Sequence, residues 1–92
     1  MGVEGIWARH PRVLETEMGN DISLYDPIEE RVTVLNTTAS DIWRLLDGST
    51  SISDITEMLS RAYEEVDQSR VRKDVQATVE KLAEEDLVTR KE

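Results

Sequence analysis

Apolar positions along the chain fall into two rhythms, and the change between them sets the architecture. Residues 13–17, 22–26 and Arg31–Leu35 are short, β-prone runs. They are separated by Met18-Gly19-Asn20-Asp21 and by a turn that holds Pro27, whose fixed φ suits a turn's second position with Asp26 at the first. Three strands in a meander are the expectation. In the third, Val32 and Val34 face one way and Thr33 and Leu35 the other, so alternation alone leaves both faces open as the buried one.

From residue 39 onward the spacing becomes helical. Ala39, Ile42, Trp43 and Leu46 recur at i, i+3, i+4 and i+7, which places them on one helix face and predicts a buried Trp43. Thr38 and Asp41 have the spacing of a capping box, and Gly48 is the expected stop. A second helix follows, capped by Ser51 or Ser53, carrying Ile55, Met58, Leu59 and Ala62, and closed by Tyr63. A third helix follows, capped by Asp67, with Val71, Val75, Val79 and Leu82 as its stripe and Thr78 at the stripe's margin. It should stop near Glu85, with Leu87 and Val88 extended and packed back on the core. Residues 1–9, with Gly2 and Gly5 and little periodicity, read as a flexible arm before a domain spanning 10–92. Within that arm Trp7 is either a partly buried anchor or a contact for a partner.

Composition narrows the functions available. At 92 residues the chain makes one small domain that buries only about 60–65% of its unfolded surface. It has no cysteine, which removes disulfides and thiolate metal sites and suits a reducing cytoplasm. No apolar run is long enough for a membrane span or signal-peptide core. The formal net charge of −9 opposes binding to nucleic acid or anionic membranes and favours a basic or neutral partner. His10, the single histidine, has no second ligand nearby, and the acidic pairs Glu29-Glu30 and Glu64-Glu65 and the run Glu84-Glu85-Asp86 read as solvated surface. Neither a cofactor nor catalysis is expected, since no glycine-rich phosphate loop, nucleophile elbow or histidine–carboxylate pairing occurs.

The run at residues 35–48 carries a family resemblance. Leu35-Asn36, Thr38-Ala39, Ile42-Trp43 and Leu45-Leu46-Asp47-Gly48 match the "LN-x-TA-x-x-IW-x-LLDG" signature of the PqqD family, small partner proteins of pyrroloquinoline quinone biosynthesis. That family is built on the RiPP recognition element (RRE), which binds the leader of ribosomally made precursor peptides. The likeness extends from about His10 to Val88, and departs where Asp86 stands at a position commonly glycine. Aspartate tolerates the left-handed backbone that such a position would need.

The resemblance implies an α+β, winged-helix-like domain, a three-stranded antiparallel sheet followed by three helices. It also implies that the leader adds as a strand beside the third strand and lies in the groove against the third helix. On this sequence that points to Arg31, Val32, Thr33, Val34 and Leu35 for strand pairing, and to Arg70, Val71, Asp74, Val75 and Thr78 on the helix. The valines of the helix serve equally well as plain core. The implied partners are a precursor leader peptide and a modifying enzyme, such as a radical SAM protein or a leader peptidase, with no nucleic acid and no membrane. An open strand edge also permits a homodimer. From another class comes a winged-helix DNA-binding transcriptional regulator, suggested by Arg70, Arg72, Lys73 and Lys81 on the third helix and opposed by the net charge and by Asp74 and Glu80.

Overall fold

The computed structural model describes residues 2–91. The elements run β1 (Ile6–Arg9), β2 (Leu14–Met18), β3 (Asp21–Asp26), β4 (Arg31–Leu35), α1 (Thr37–Leu45), β5 (Asp47–Ser51), α2 (Ile52–Ala62), α3 (Gln68–Glu84) and β6 (Val88–Arg90). Strands β2, β3 and β4 form the antiparallel meander, in that order, followed by the three helices, the α+β arrangement expected from the two rhythms. Its register sets Leu24 opposite Thr33 and Ile22 opposite Leu35, so one face of the meander presents Ile22, Leu24 and Leu35 to the core.

That core is a single cluster. Ile42, Trp43 and Leu46 are fully buried, joined by Ile55 and Leu59 from α2 and Val71, Val75, Val79 and Leu82 from α3. The helical stripes read from spacing are therefore the faces that pack, as amphipathicity requires. Within α1, Ala39 packs against the cluster's edge and Ser40 turns its hydroxyl back to the Leu35 carbonyl at 3.2 Å.

The structure differs from the sequence expectation at three places. First, residues 6–9 are not a loose arm but the central strand of a second sheet, ordered β5-β1-β6. Trp7 is buried, its indole N–H donating to the Val3 carbonyl at 2.9 Å and its ring carrying the Arg90 guanidinium 4.5 Å from the centroid. One inward residue in a four-residue strand is too little periodicity to recognise; the strand exists because β5 and β6 supply its hydrogen bonds. Second, the cap of α1 is Asn36, whose side chain accepts from the Ala39 N–H at 2.8 Å, so the helix begins ahead of the Thr38–Asp41 box. Asp41 instead takes a hydrogen bond from the Tyr63 hydroxyl and pairs with Arg44 at 3.1 Å. Third, α1 stops at Leu46, whose N–H reaches the Trp43 carbonyl at 3.2 Å, before Gly48. Gly48 serves β5 instead: its φ is +82°, and a Cβ there would sit 3.3 Å from that of Ala8 in the neighbouring strand.

Of the remaining caps, that of α2 follows the expectation, whereas Asp67 stands at the N-cap of α3 without a side-chain capping bond, its carboxylate accepting instead from the Ser69 hydroxyl at 2.9 Å. Ser51 accepts from the Asp54 N–H at 3.0 Å and Tyr63 closes α2. At the end of α3, Asp86 adopts φ 58°, and the Asp86 and Leu87 N–H groups bond to the carbonyls of Ala83 and Leu82 at 3.1 and 2.9 Å. This pair of bonds is the Schellman motif, and it turns the chain into β6.

An ion pair to a buried carboxylate ties the meander to the segments that lead out of β1 and into β6. Arg12, between β1 and β2, donates from Nε and Nη2 to the two carboxylate oxygens of Asp26 at 2.9 Å each, and from Nη2 to the Asp86 carbonyl at 3.0 Å. Asp26 is 1% exposed, and these bonds, with those from the Ile28 and Glu29 N–H groups, hold its carboxyl down at about 2.

Candidate functional site: the β4 edge and its trough

Strand β4 is the last of its sheet, and among the described residues no strand pairs with its outer side. Its backbone therefore offers N–H and C=O groups to an extended chain. Alongside this edge runs a trough of about 260 Å³. One wall is Thr33, Val34 and Leu35 from β4; Asn36 and Ala39 form the end at the start of α1. The other wall is α3, through Ala77, Thr78, Lys81 and Leu82. Helical periodicity explains that wall: Thr78 and Leu82 are one turn apart, and Ala77 is small enough to leave the floor open.

A polar clasp closes the far end. Glu85, at the C-terminus of α3, accepts a hydrogen bond from the Thr33 hydroxyl at 3.0 Å, and Arg31 lies 3.9 Å from the same oxygen. Glu29 is 3.9 Å from the Arg31 guanidinium on the strand's other flank.

The ten residues singled out from the sequence fall into three groups. Thr33, Val34, Leu35 and Thr78 come together in the trough. Val71, Asp74 and Val75 line a separate cavity of about 60 Å³ with Thr38, Leu59, Tyr63 and Val66, next along α3. Val71 and Val75 are themselves core residues, with Val75 fully buried. Arg31, Val32 and Arg70 line neither hollow: Arg31 belongs to the clasp, Val32 is 62% exposed on the outer sheet face, and Arg70 pairs with Asp74 at 3.9 Å on the helix surface. The trough residues that sequence reasoning passed over are Asn36, Ala39, Ala77, Lys81 and Leu82. Ala39 and Leu82 carried only the signal of core positions, and Lys81 that of a surface charge. Which part of α3 faces β4 depends on the crossing of helix and sheet, and local periodicity carries no record of it.

Beside the smaller cavity, the Tyr63 phenol is raised above its ordinary pKa, because ionising it would break its bond to Asp41 and set a second negative charge there. Among the described residues no group of histidine, cysteine and carboxylate side chains could hold a metal ion, and no helix is long and apolar enough to cross a membrane.

Fold and edge together define a small α+β, winged-helix-like domain with an open strand beside a helix-walled trough. The model of the family described as "Coenzyme PQQ synthesis protein D (PqqD)" matches residues 21–88, and the chain belongs to the PqqD family. No curated protein matches it by sequence. Two solved structures share its fold. One, described as TbiB1 in complex with the TbiA(beta) leader peptide, superposes with a TM-score of 0.79 at 21% identity, covering 88% of this chain and 93% of that one. The other, described as lasso peptide synthetase B1 complexed with the leader peptide, also reaches 0.79, at 24% identity, covering 90% of this chain and 96% of that one.

Proposed function

We propose that this protein is a non-catalytic recognition domain that captures the leader of a ribosomally made precursor peptide and presents the peptide to a modifying enzyme. The leader adds as an antiparallel strand beside β4, with alternate side chains in the trough against α3. The observation that carries the proposal is the coincidence of a five-residue open edge with a trough along the same strand. Support comes from the family, and from the two solved proteins of the same fold, both described as leader complexes. The enzyme partner is a radical SAM protein or a leader peptidase. Holding the leader raises the concentration of the rest of the peptide at an enzyme that binds it weakly alone.

Energetics assign the two halves of the site different work. A backbone hydrogen bond contributes about 0.5–1.5 kcal/mol net, while ordering a residue costs about 1–2 kcal/mol. Strand pairing alone therefore gives register without affinity, and buried side chains supply the affinity at about 1.5–3 kcal/mol each. The trough is where they go.

The test is an NMR titration with the leader of the precursor encoded beside this protein's gene. Shifts should concentrate at residues 31–35, 39 and 77–82. Thr78→Glu, which sets a charge in the trough from a half-buried position, should weaken binding at least tenfold with the circular dichroism spectrum unchanged. Shifts centred on α2 or on the β2–β3 turn would remove the strand-addition reading.

A further inference from the structure

A strand has two faces: Thr33 and Leu35 turn one face of β4 to the trough, and of the residues on the other face Val34 also reaches its rim while Val32 does not. On the other, Val32 and Val34 are 62% and 61% exposed. The register extends this surface across the sheet: Val32 lies opposite Tyr25 and Tyr25 opposite Leu14, while Val34 lies opposite Ser23 and Ser23 opposite Thr16. Leu14 and Tyr25 are exposed as well. An open sheet face normally turns polar residues to solvent, yet neither of these rows holds a charge, in a chain whose net charge is −9. The two valines stand on the edge strand itself, where β3 pairs with one side and no strand among the described residues pairs with the other.

A chain that pairs with β4 cannot send every side chain into the trough. Its residues alternate, so each second one stands on the outer face beside Val32 or Val34, at a Cβ separation of about 4.5–5.5 Å. We propose that the leader is read on both faces of the strand it adds: apolar side chains enter the trough at one parity, and β-branched or aromatic side chains cover Val32 and Val34 at the other. This rests on the proposed addition of a leader at β4 and specifies its substrate class. The selected segment is a run of consecutive uncharged residues, apolar at both parities, rather than an amphipathic strand with a polar outer face. A lysine or glutamate at an outward position loses part of its hydration against the valines and gains no partner charge in either row.

A random-sequence peptide library displayed on phage, panned on the whole protein, tests this with peptides chosen by the protein itself. Enriched peptides are synthesised, mapped by NMR, and measured against Val32→Thr, which changes the outer face at a residue that does not line the trough. Threonine keeps the β-branch while replacing a methyl with a hydroxyl, and Val32 is exposed, so the hydroxyl stays in water and the fold survives. Peptides that shift residues 31–35 should be apolar at both parities and bind Val32→Thr about two- to fivefold more weakly, from the cross-strand pair at that position. Equal affinity for both proteins, with Thr78→Glu abolishing binding, would confine recognition to the trough and overturn the inference while leaving leader capture intact. Enriched peptides that never shift residues 31–35 would remove both readings. A parent that sediments as a dimer beside a monomeric Val32→Thr would assign the outer face to a second copy of the chain instead.

Discussion

The two three-stranded sheets are built on opposite principles. The β2–β3–β4 meander is local: each strand pairs with its neighbour in sequence, and Gly19 with φ 69° and the Pro27 turn set the reversals. The β5–β1–β6 sheet gathers segments from the two ends and the middle of the chain, so that Trp7 pairs with Arg90 and Ala8 with Asp47. Local pairing closes short loops and leaves a pattern in the sequence, whereas distant pairing is decided only once the helices have packed. The difference also separates their uses. The second sheet ties the ends of the described chain together, and the meander is left with an open edge beside a hollow.

Both sheets rest on one core, and its centre is the sharpest place to break them together. Trp43 is 0% exposed, under the meander and against the helices. Trp43→Ala should cost about 3–5 kcal/mol, most of the stability of a domain this size. A denaturant midpoint close to the parent's would show the core face to be misassigned.

Trp7 separates the sheets. Its loss removes the one buried side chain of β1, the indole bond to Val3 and the ring under Arg90. We expect Trp7→Ala to cost about 3 kcal/mol, at the low end for a large aromatic, because the residue lies at the rim. Amide exchange should accelerate through β1, β5 and β6 and much less in β3 and β4. Uniform acceleration would mean that the two sheets open as a single unit.

The Arg12–Asp26 pair ties the meander to the segments that lead out of β1 and into β6, and it makes the comparison depend on pH. The folded state depresses Asp26 from 3.8 to about 2, first through the Arg12 hydrogen bonds, so the carboxylate's contribution is complete above about pH 4. It fades as pH falls from about 4 through 2, because the unfolded chain takes up the proton first. Asp26→Asn should therefore melt well below the parent at pH 7, and the gap should close toward pH 2. A gap that stayed constant over that range would show that the charge on Asp26 is not what makes this tie.

Much of this architecture was legible in the sequence, for reasons that also mark the limits. The meander, the three helical stripes, the buried Trp43, the Ser51 cap and the stop after Glu84 all leave local signals of period, cap or turn. Strand β5 reads Asp-Gly-Ser-Thr-Ser, with Asp47 Oδ1 accepting from the Ser49 and Thr50 N–H groups at 2.9 Å each, and such a polar segment resembles a loop until β1 lies beside it. The trough was half legible. Its β4 wall follows from the strand, while its α3 wall was expected along Val71, Val75 and Thr78 and lies at Ala77, Thr78, Lys81 and Leu82, with Thr78 the residue in common. Valines on a helix stripe signal burial equally in a core and in a groove, so residue type could not place the wall along the helix.

The smallest expected effect lies where the meander's partner helix hands the chain to the second sheet. Asp86 holds φ 58°, a conformation that costs most L-residues about 1–2 kcal/mol and aspartate somewhat less. What the fold uses there is backbone: the Asp86 N–H to Ala83, the Leu87 N–H to Leu82, and the Asp86 carbonyl that receives Arg12. Asp86→Gly keeps all three and removes the Cβ, against the greater freedom glycine gives the unfolded chain and a small loss of field on Arg12. The net gain should be about 0.5–1 kcal/mol, a rise in melting temperature of a few degrees for a domain of this length. Asp86→Ala keeps the strain, loses the side chain's local polarity, and should melt below the parent. If glycine and alanine moved the melting temperature equally and in the same direction, the left-handed turn would carry no stored cost, and the join between α3 and β6 would be set by the side chain rather than by the backbone.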